Sequence, residues 1–213
     1  MNIILLGAPG SGKGTLAEQL VEHKGMQQFS TGDIFRKNIA EKTSLGVEAA
    51  KYMNQGKLVP DEITNGMVKH ALKGRHNNLI FDGYPRTLEQ AQTLEKILKE
   101  VGSQIDHVIY LDVDQAILLE RLSGRLVCPE CKRSYHLKNR PPAFAGICDF
   151  DGSALEVRPD DQIDKIKIRL EAYETQTAPL IDYYKKNEIV VHLNAHDLAI
   201  DEVYKQVIEG LGI

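Results

Sequence analysis

One run of nine residues, Gly7-Ala8-Pro9-Gly10-Ser11-Gly12-Lys13-Gly14-Thr15, constrains this chain more than any other stretch. It follows a short apolar segment, Ile3-Ile4-Leu5-Leu6, and leads into a helical pattern that starts near Lys13. The order is strand, glycine-rich loop, helix N-terminus. Such a loop turns backbone N–H groups inward and the helix dipole adds positive potential, so the concavity suits a phosphate chain. Glycine serves here because side chains would block that close approach and some positions need positive φ. Lys13 supplies a mobile positive charge for the outer phosphates. The spacing is Gly-x4-Gly-Lys, but Gly14 stands where Ser or Thr usually follows the lysine, and Thr15 comes one place later. Loop hydroxyls are then poor ligands for Mg²⁺, which needs carboxylates from elsewhere.

The rest of the chain supplies the other parts of an α/β fold. Asn2–Leu6 reads as a buried strand and Lys13–Glu22 as a helix with Leu16, Ala17, Leu20 and Val21 on its apolar face. Ser30-Thr31-Gly32-Asp33 offers an N-cap before a helix over Ile34–Ala40. Helices follow over Leu45–Gln55 and Asp61–Leu72. Asn78–Asp82 is a strand ending in a carboxylate, Thr87 to about Glu100 a helix, His107–Asp112 a strand and Asp114–Ser123 a helix. Gln162–Tyr184 reads as one long helix, Ile189–Leu193 as the last strand and Asp201–Leu211 as the terminal helix. Strands alternating with helices imply a central parallel sheet flanked by helices on both faces. Two stretches break the alternation. Residues 30–59 read as a helical insert. Residues 125–161 hold all three cysteines and four prolines with no helical period, and read as a second insert. That leaves 1–29, 60–124 and 162–213 as the core.

Four motifs, Gly7–Thr15, Ser30-Thr31-Gly32-Asp33, Asp82-Gly83-Tyr84-Pro85-Arg86 and Arg158-Pro159-Asp160-Asp161, stand in an order and spacing that resembles the adenylate kinase family, in its bacterial long-lid form that carries zinc. The resemblance covers nearly the whole chain. Leu16, Phe35 and Tyr84 depart from the family's usual Gln, Leu and Phe. The resemblance implies a P-loop kinase core, a helical AMP-binding insert at 30–59 and a zinc-ribbon-like lid at 125–161. It implies reversible phosphoryl transfer from ATP, carried with Mg²⁺, to AMP, giving two ADP. A GTP-using AMP phosphotransferase of the same fold is the alternative.

Phosphoryl transfer asks for positioning and charge neutralisation rather than covalent help. An AMP phosphate is already ionised at neutral pH, so no general base is needed. By the resemblance the catalytic cations are Lys13, Arg86, Arg125, Arg158 and Arg169. Arginine suits the task because its planar fork binds phosphate oxygens bidentately and stays charged. ATP is expected against Gly10, Ser11, Gly12, Lys13, Gly14, Thr15, Arg121, Arg125, Ser134 and Tyr135, with its base near Asp197 or Leu198 in the segment 195–199. AMP is expected against Thr31, Arg36, Lys57, Leu58, Val59, Gly83, Tyr84, Pro85, Arg86, Gln90, Arg158 and Arg169. Gln90 carries a donor and an acceptor side by side, as reading an adenine edge requires. Asp82 ends a strand where ligands bind in open α/β sheets, and with Asp33 is the candidate to hold hydrated Mg²⁺.

The second insert carries Cys128-x2-Cys131-x16-Cys148-x2-Asp151, the spacing of a four-ligand zinc ribbon with the last Cys replaced by Asp. Three thiolates favour Zn²⁺ and a carboxylate is an acceptable fourth ligand. His136 and Asp149 are weaker rivals, and His192 and His196 read as ordinary residues.

Composition narrows the function classes. A net charge of −4 argues against nucleic-acid binding through overall charge. No run approaches the length of a membrane span, and the short apolar N-terminus is no signal peptide, so a cytoplasmic protein is the expectation; separately, a monomer is expected. A guanine-reading switch would need Asn-Lys-x-Asp, and no Asn-Lys pair occurs.

Overall fold

Strand β1 (Ile3–Leu6) lies at the centre of a five-stranded parallel sheet in the computed structural model, which describes residues 1–213. Its side chains alternate between the two faces, as the period of a strand requires. Ile4 and Leu6 enter one core, with Phe29, Phe81, Leu94 and Val108. Ile3 and Leu5 enter the other, with Leu16, Leu20, Ile80, Ile109 and Val207. A strand buried on both faces is a continuous apolar run, which is why Ile-Ile-Leu-Leu was legible as one.

The order across the sheet is β2 (Gln27–Ser30), β3 (Leu79–Asp82), β1, β4 (His107–Asp112) and β7 (Val190–Asn194), all parallel. β5 (Arg125–Val127) and β6 (Ser134–His136) form a separate antiparallel hairpin in the 125–161 insert. Helices α1 (Lys13–Lys24) and α9 (Ile200–Leu211) pack on the second face. The first face is covered by α4 (Asp61–Ala71), α5 (Leu88–Glu100) and α8 (Pro179–Lys185). α2 (Thr31–Ala40) and α3 (Ser44–Met53) form the helical insert, and α6 (Gln115–Ser123) and α7 (Ile163–Ala172) lead into and out of the second one.

The structure corrects the sequence reading in four places. β2 was not expected; it is an edge strand with Gln27 and Gln28 exposed, so it lacks an apolar run. The helix expected over 162–184 is broken by a π-helical turn at Tyr173–Thr177 ahead of Pro179, whose missing N–H interrupts the regular ladder. Val21 is 39% exposed rather than part of the apolar face of α1. The 125–161 insert holds a hairpin whose three-residue strands are too short to leave a pattern.

Candidate functional site

The loop between β1 and α1 is shaped by glycine. Gly7 has φ +147°, and a Cβ there would lie 2.6 Å from Ser11 Oγ and 2.7 Å from the Leu111 carbonyl. Gly12, at φ +102°, precedes α1 and offers its first turn no side-chain cap. The opening N–H groups of α1 therefore face the cavity, where an anion would satisfy them. Lys13 Nζ folds back on the loop and donates to the carbonyls of Gly7 (2.7 Å) and Ala8 (2.9 Å). Burial carries its pKa down from 10.5 to about 7; Asp82 opposes the shift, and Arg86, Arg125 and Arg169 add to it.

A single cavity of about 840 Å³ opens above this loop, at the carboxyl ends of the strands. Lys13, Arg36, Arg86, Arg121, Arg125, Arg158 and Arg169 all line it. They come from the core and from both inserts, so the charge is a product of tertiary folding. Asp161, its side chain wholly buried, accepts from Arg125 Nε (2.7 Å) and Nη2 (2.5 Å) and from Arg169 Nη1 (2.8 Å). Arg169 also meets Asp160 at 3.2 Å. Arg86 donates Nε to the Gly83 carbonyl, and burial brings its pKa to about 10. Burial, then Arg125 and Arg36, push Arg158 down to about 9. Neither Arg86 nor Arg158 has a carboxylate partner, unlike Arg36, Arg125 and Arg169. Cations crowded together without matching anions leave room for the charge of a ligand.

Beside the main cavity a recess of about 50 Å³ is lined by Thr31, Lys57, Leu58, Val59, Gly83 and Gln90 among others. Thr31 Oγ1 donates to the Gly83 carbonyl at 2.8 Å. The Gln90 amide is already engaged: Oε1 accepts from the Arg86 N–H (2.8 Å), and Nε2 donates to Asp61 Oδ1 (2.7 Å). One N–H and one lone pair remain for a ligand. Tyr84 does not face the recess. Its ring is buried in the core and its hydroxyl donates to Asn65 Oδ1, so only its backbone belongs to the turn. Pro85 lines the main cavity.

Around the glycine loop Gly10, Ser11, Gly12, Gly14, Thr15 and Ser134 line the cavity, as do all residues from Ala195 to Ala199. Arg121 Nη2 donates to the carbonyls of Ala195 and His196, which ties α6 to that segment. Tyr135 borders the cavity, but its hydroxyl turns away to Cys148 Sγ (3.4 Å) and accepts from the Asp149 N–H. Of the two candidate Mg²⁺ carboxylates, Asp33 is held by Arg36 at 2.5 Å, whereas Asp82 meets only Gln28 Nε2 at 3.0 Å.

Cys128, Cys131, Cys148 and Asp151 converge, with their ligand atoms within 4.8 Å of one another. Cys131 Sγ and Cys148 Sγ are 3.5 Å apart, and Cys128 Sγ lies 3.2 Å from Asp151 Oδ2. The edge of a tetrahedron with Zn–S bonds of about 2.3 Å is about 3.8 Å, so the four fit such an ion. The Cys131 N–H donates to Cys128 Sγ and the Ser153 N–H to Asp151 Oδ1, orienting both ligands. His136 is directed elsewhere, its Nδ1 accepting from the N–H groups of Lys138 and Asn139. Asp149 accepts from the Ala143 N–H. His192 and His196 pair with Asp112 and Asp114 separately.

Residues that motif reasoning left without a role complete the site. Asp160 and Asp161 stand beside Arg158 in the motif itself. Tyr173 and Thr177 reach the cavity from the π-helical turn, and Thr177 Oγ1 donates to the Arg86 carbonyl. Asp61 holds Gln90; the acidic first turn of α4 gave no hint of that task.

A glycine loop after β1, a parallel sheet of this order and two inserts that carry arginines over the loop define a P-loop phosphotransferase acting on nucleotides. A family model described as adenylate kinase matches residues 5–189, and the chain belongs to that family. It is 57% identical over 213 residues to the adenylate kinase of Mesoplasma florum, covering 99% of this chain and all of that one. It is 52% identical over 207 residues to the adenylate kinase of Mycoplasma capricolum subsp. capricolum, covering 97% of each. With the adenylate kinase of Bacillus subtilis it shares 45% over 215 residues, covering this chain fully and 98% of the other. No helix is long and apolar enough to cross a membrane.

Proposed function

We infer that the protein transfers the terminal phosphoryl group of ATP to AMP and so makes two ADP. An oxygen of the AMP phosphate attacks the γ-phosphorus. The bond from that phosphorus to the β,γ-bridging oxygen breaks, and ADP leaves with the electron pair. The observation that carries this is the set of cations around one glycine loop, drawn from core and inserts into one cavity. Lys13 and the α1 N-terminus serve the donor phosphates. Arg36 and Arg86 serve the acceptor phosphate, and Arg125, Arg158 and Arg169 the group in transit. Such electrostatic preorganisation, with water excluded as the inserts close, is the main lever for phosphoryl transfer.

Thr31, the Lys57–Val59 backbone and Gln90 are assigned to the AMP base, and the 195–199 segment to the ATP base. The relatives' shared adenylate kinase name favours ATP over GTP as donor. Asp82, free of any cation within bonding distance, is the better outer-sphere carboxylate for the Mg²⁺ that ATP brings. That ion would neutralise phosphate charge. Cys128, Cys131, Cys148 and Asp151 are proposed to hold a structural Zn²⁺, because four protein ligands leave no open position. Residues 30–59 are taken as the acceptor insert and 125–161 as the lid. One chain supplies the whole cavity, which supports a monomer, and a cytoplasmic location is proposed with it. The test is ADP formation for each pairing of ATP or GTP with AMP, UMP, CMP or GMP. ATP with AMP should dominate. Equal turnover with UMP overturns the adenine assignment, and no ADP from ATP with AMP overturns the function.

A further inference from the structure

Glu18 sits on α1, three residues past Thr15, and borders the cavity. Its carboxylate accepts from the Ser134 N–H at 3.2 Å and from Arg140 Nη1 at 3.0 Å. Ser134 opens β6 and Arg140 follows that strand, so both donors belong to the 125–161 insert. Every other hydrogen bond or ion pair from this insert to the rest of the chain goes to α6, to Gly124 or to α7, the segments at its two ends. Those contacts lie where the insert is attached. The Glu18 contacts lie across the cavity from the attachment and exist only with the insert down.

We propose that Glu18 is a positioning residue for phosphoryl transfer, a latch on the core that holds the insert over the donor phosphates through Ser134 and Arg140. The proposal rests on reading this cavity as the donor-nucleotide site. Two acceptor oxygens meeting two donors of one hairpin fix both its distance and its tilt. The helix that carries Glu18 also carries Lys13, so the insert is referenced directly to the phosphate loop. The other face of the hairpin holds the cysteine cluster, where Tyr135 OH meets Cys148 Sγ, so the latch pulls on a braced lever. The pair is partly hydrated, with side chains 22% and 40% exposed for Glu18 and Arg140. A partly exposed ion pair is weak and salt-sensitive. That suits a contact that must open on every turnover to release product.

The test places two dyes through non-natural amino acids at the exposed positions Phe144 and Lys24, leaving the cysteines untouched. In the ligand-free protein, Glu18→Ala should lengthen the mean distance between the dyes. Raising salt from about 0.05 M to about 0.5 M should open the wild type and leave Glu18→Ala unchanged. The KM for ATP should rise about threefold to tenfold, the range of one ion pair with one hydrogen bond. The KM for AMP should stay put. Glu18→Gln should fall between the two, and it covers the case in which the alanine variant folds poorly. Combining Glu18→Arg with Arg140→Glu should recover part of the lost closure. Identical distances and identical KM for ATP in wild type and Glu18→Ala overturn the latch, as does an equal rise in both KM values. A wild type that makes no ADP overturns the functional reading instead, and the dye distances still decide the latch.

Discussion

The two inserts solve the same problem in opposite ways. On the proposed function each brings arginine to one phosphate loop, Arg36 from the first and Arg125 and Arg158 from the second, yet the helical insert is built on apolar burial and the proposed lid around Cys128, Cys131, Cys148 and Asp151. In the first, α2 and α3 meet so closely that a Cβ on Gly46 would stand 2.0 Å from the Asn38 carbonyl. Phe35, Ala49 and Val59 of this insert belong to the core that covers one face of the sheet. The lid shares no such core. Its own buried apolar cluster is Cys128, Tyr135 and Cys148. Hydrophobic burial is area-dependent and shared with neighbours, whereas a bound ion is local and independent of the core. The helical insert should therefore fail together with the whole protein, and the lid alone.

The largest expected effect breaks the lid. Cys148→Ser removes one thiolate from the proposed zinc site. The kcat/KM for ATP should fall about a hundredfold, equivalent to about 2.7 kcal/mol of transition-state stabilisation. Hydrogen exchange should show protection lost within 125–161 and kept in the sheet. Uniform loss across the chain would end the contrast between the inserts. A smaller effect is expected from Gly46→Val, which forces α2 away from α3. Overpacking of this kind costs about 1–3 kcal/mol. Because the insert shares its core with the sheet, Tm should drop by about 2–12 °C, and the KM for AMP should rise while the KM for ATP holds. A fall in AMP affinity with Tm unchanged would show that this insert is as separable as the lid.

The same contrast explains what the sequence could tell. β1, β3 and β4 announce themselves because a strand buried on both faces must be apolar throughout. The glycine loop does so because its φ angles exclude other residues. The cysteine cluster was readable because ligand spacing is a local geometric demand. What stayed hidden depends on partners distant in sequence. Gln28 on β2 matters through its bond to Asp82, and an exposed glutamine carries no sign of that. Gln90 looks like a free base reader until Asp61, 29 residues away, is brought beside it. Tyr84 stands in a site motif but points into the core, since a buried aromatic with a hydroxyl partner is more stable there than at a polar cavity. The break in the helix over 162–184 had a signal in Pro179, which reads as a stop only once the π-helical turn before it is seen.

The smallest effect concerns a proton. Burial lowers the Lys13 pKa to about 7, with Arg86, Arg125 and Arg169 adding to the shift. The unfolded chain would hold that proton up to about pH 10.5. Between about pH 7 and 10.5 the unfolded state binds more protons, so stability of the free protein rises with pH across that window. Ligand affinity runs the other way, because polyphosphate restores the charge on Lys13. Binding a bisubstrate analogue, two adenosines joined through phosphates, should take up about 0.9 proton at pH 8 and about 0.1 at pH 6. Calorimetry in buffers of different ionisation enthalpy measures this directly, and Lys13→Met should abolish it. The two inserts should differ here too. A lid loosened by Cys148→Ser readmits water to Lys13, moves its pKa back toward the normal value and shrinks the uptake at pH 8. Gly46→Val leaves the lid in place and should keep it. Equal uptake in both variants would mean that the loop alone, with its carbonyls of Gly7 and Ala8, sets the state of this lysine.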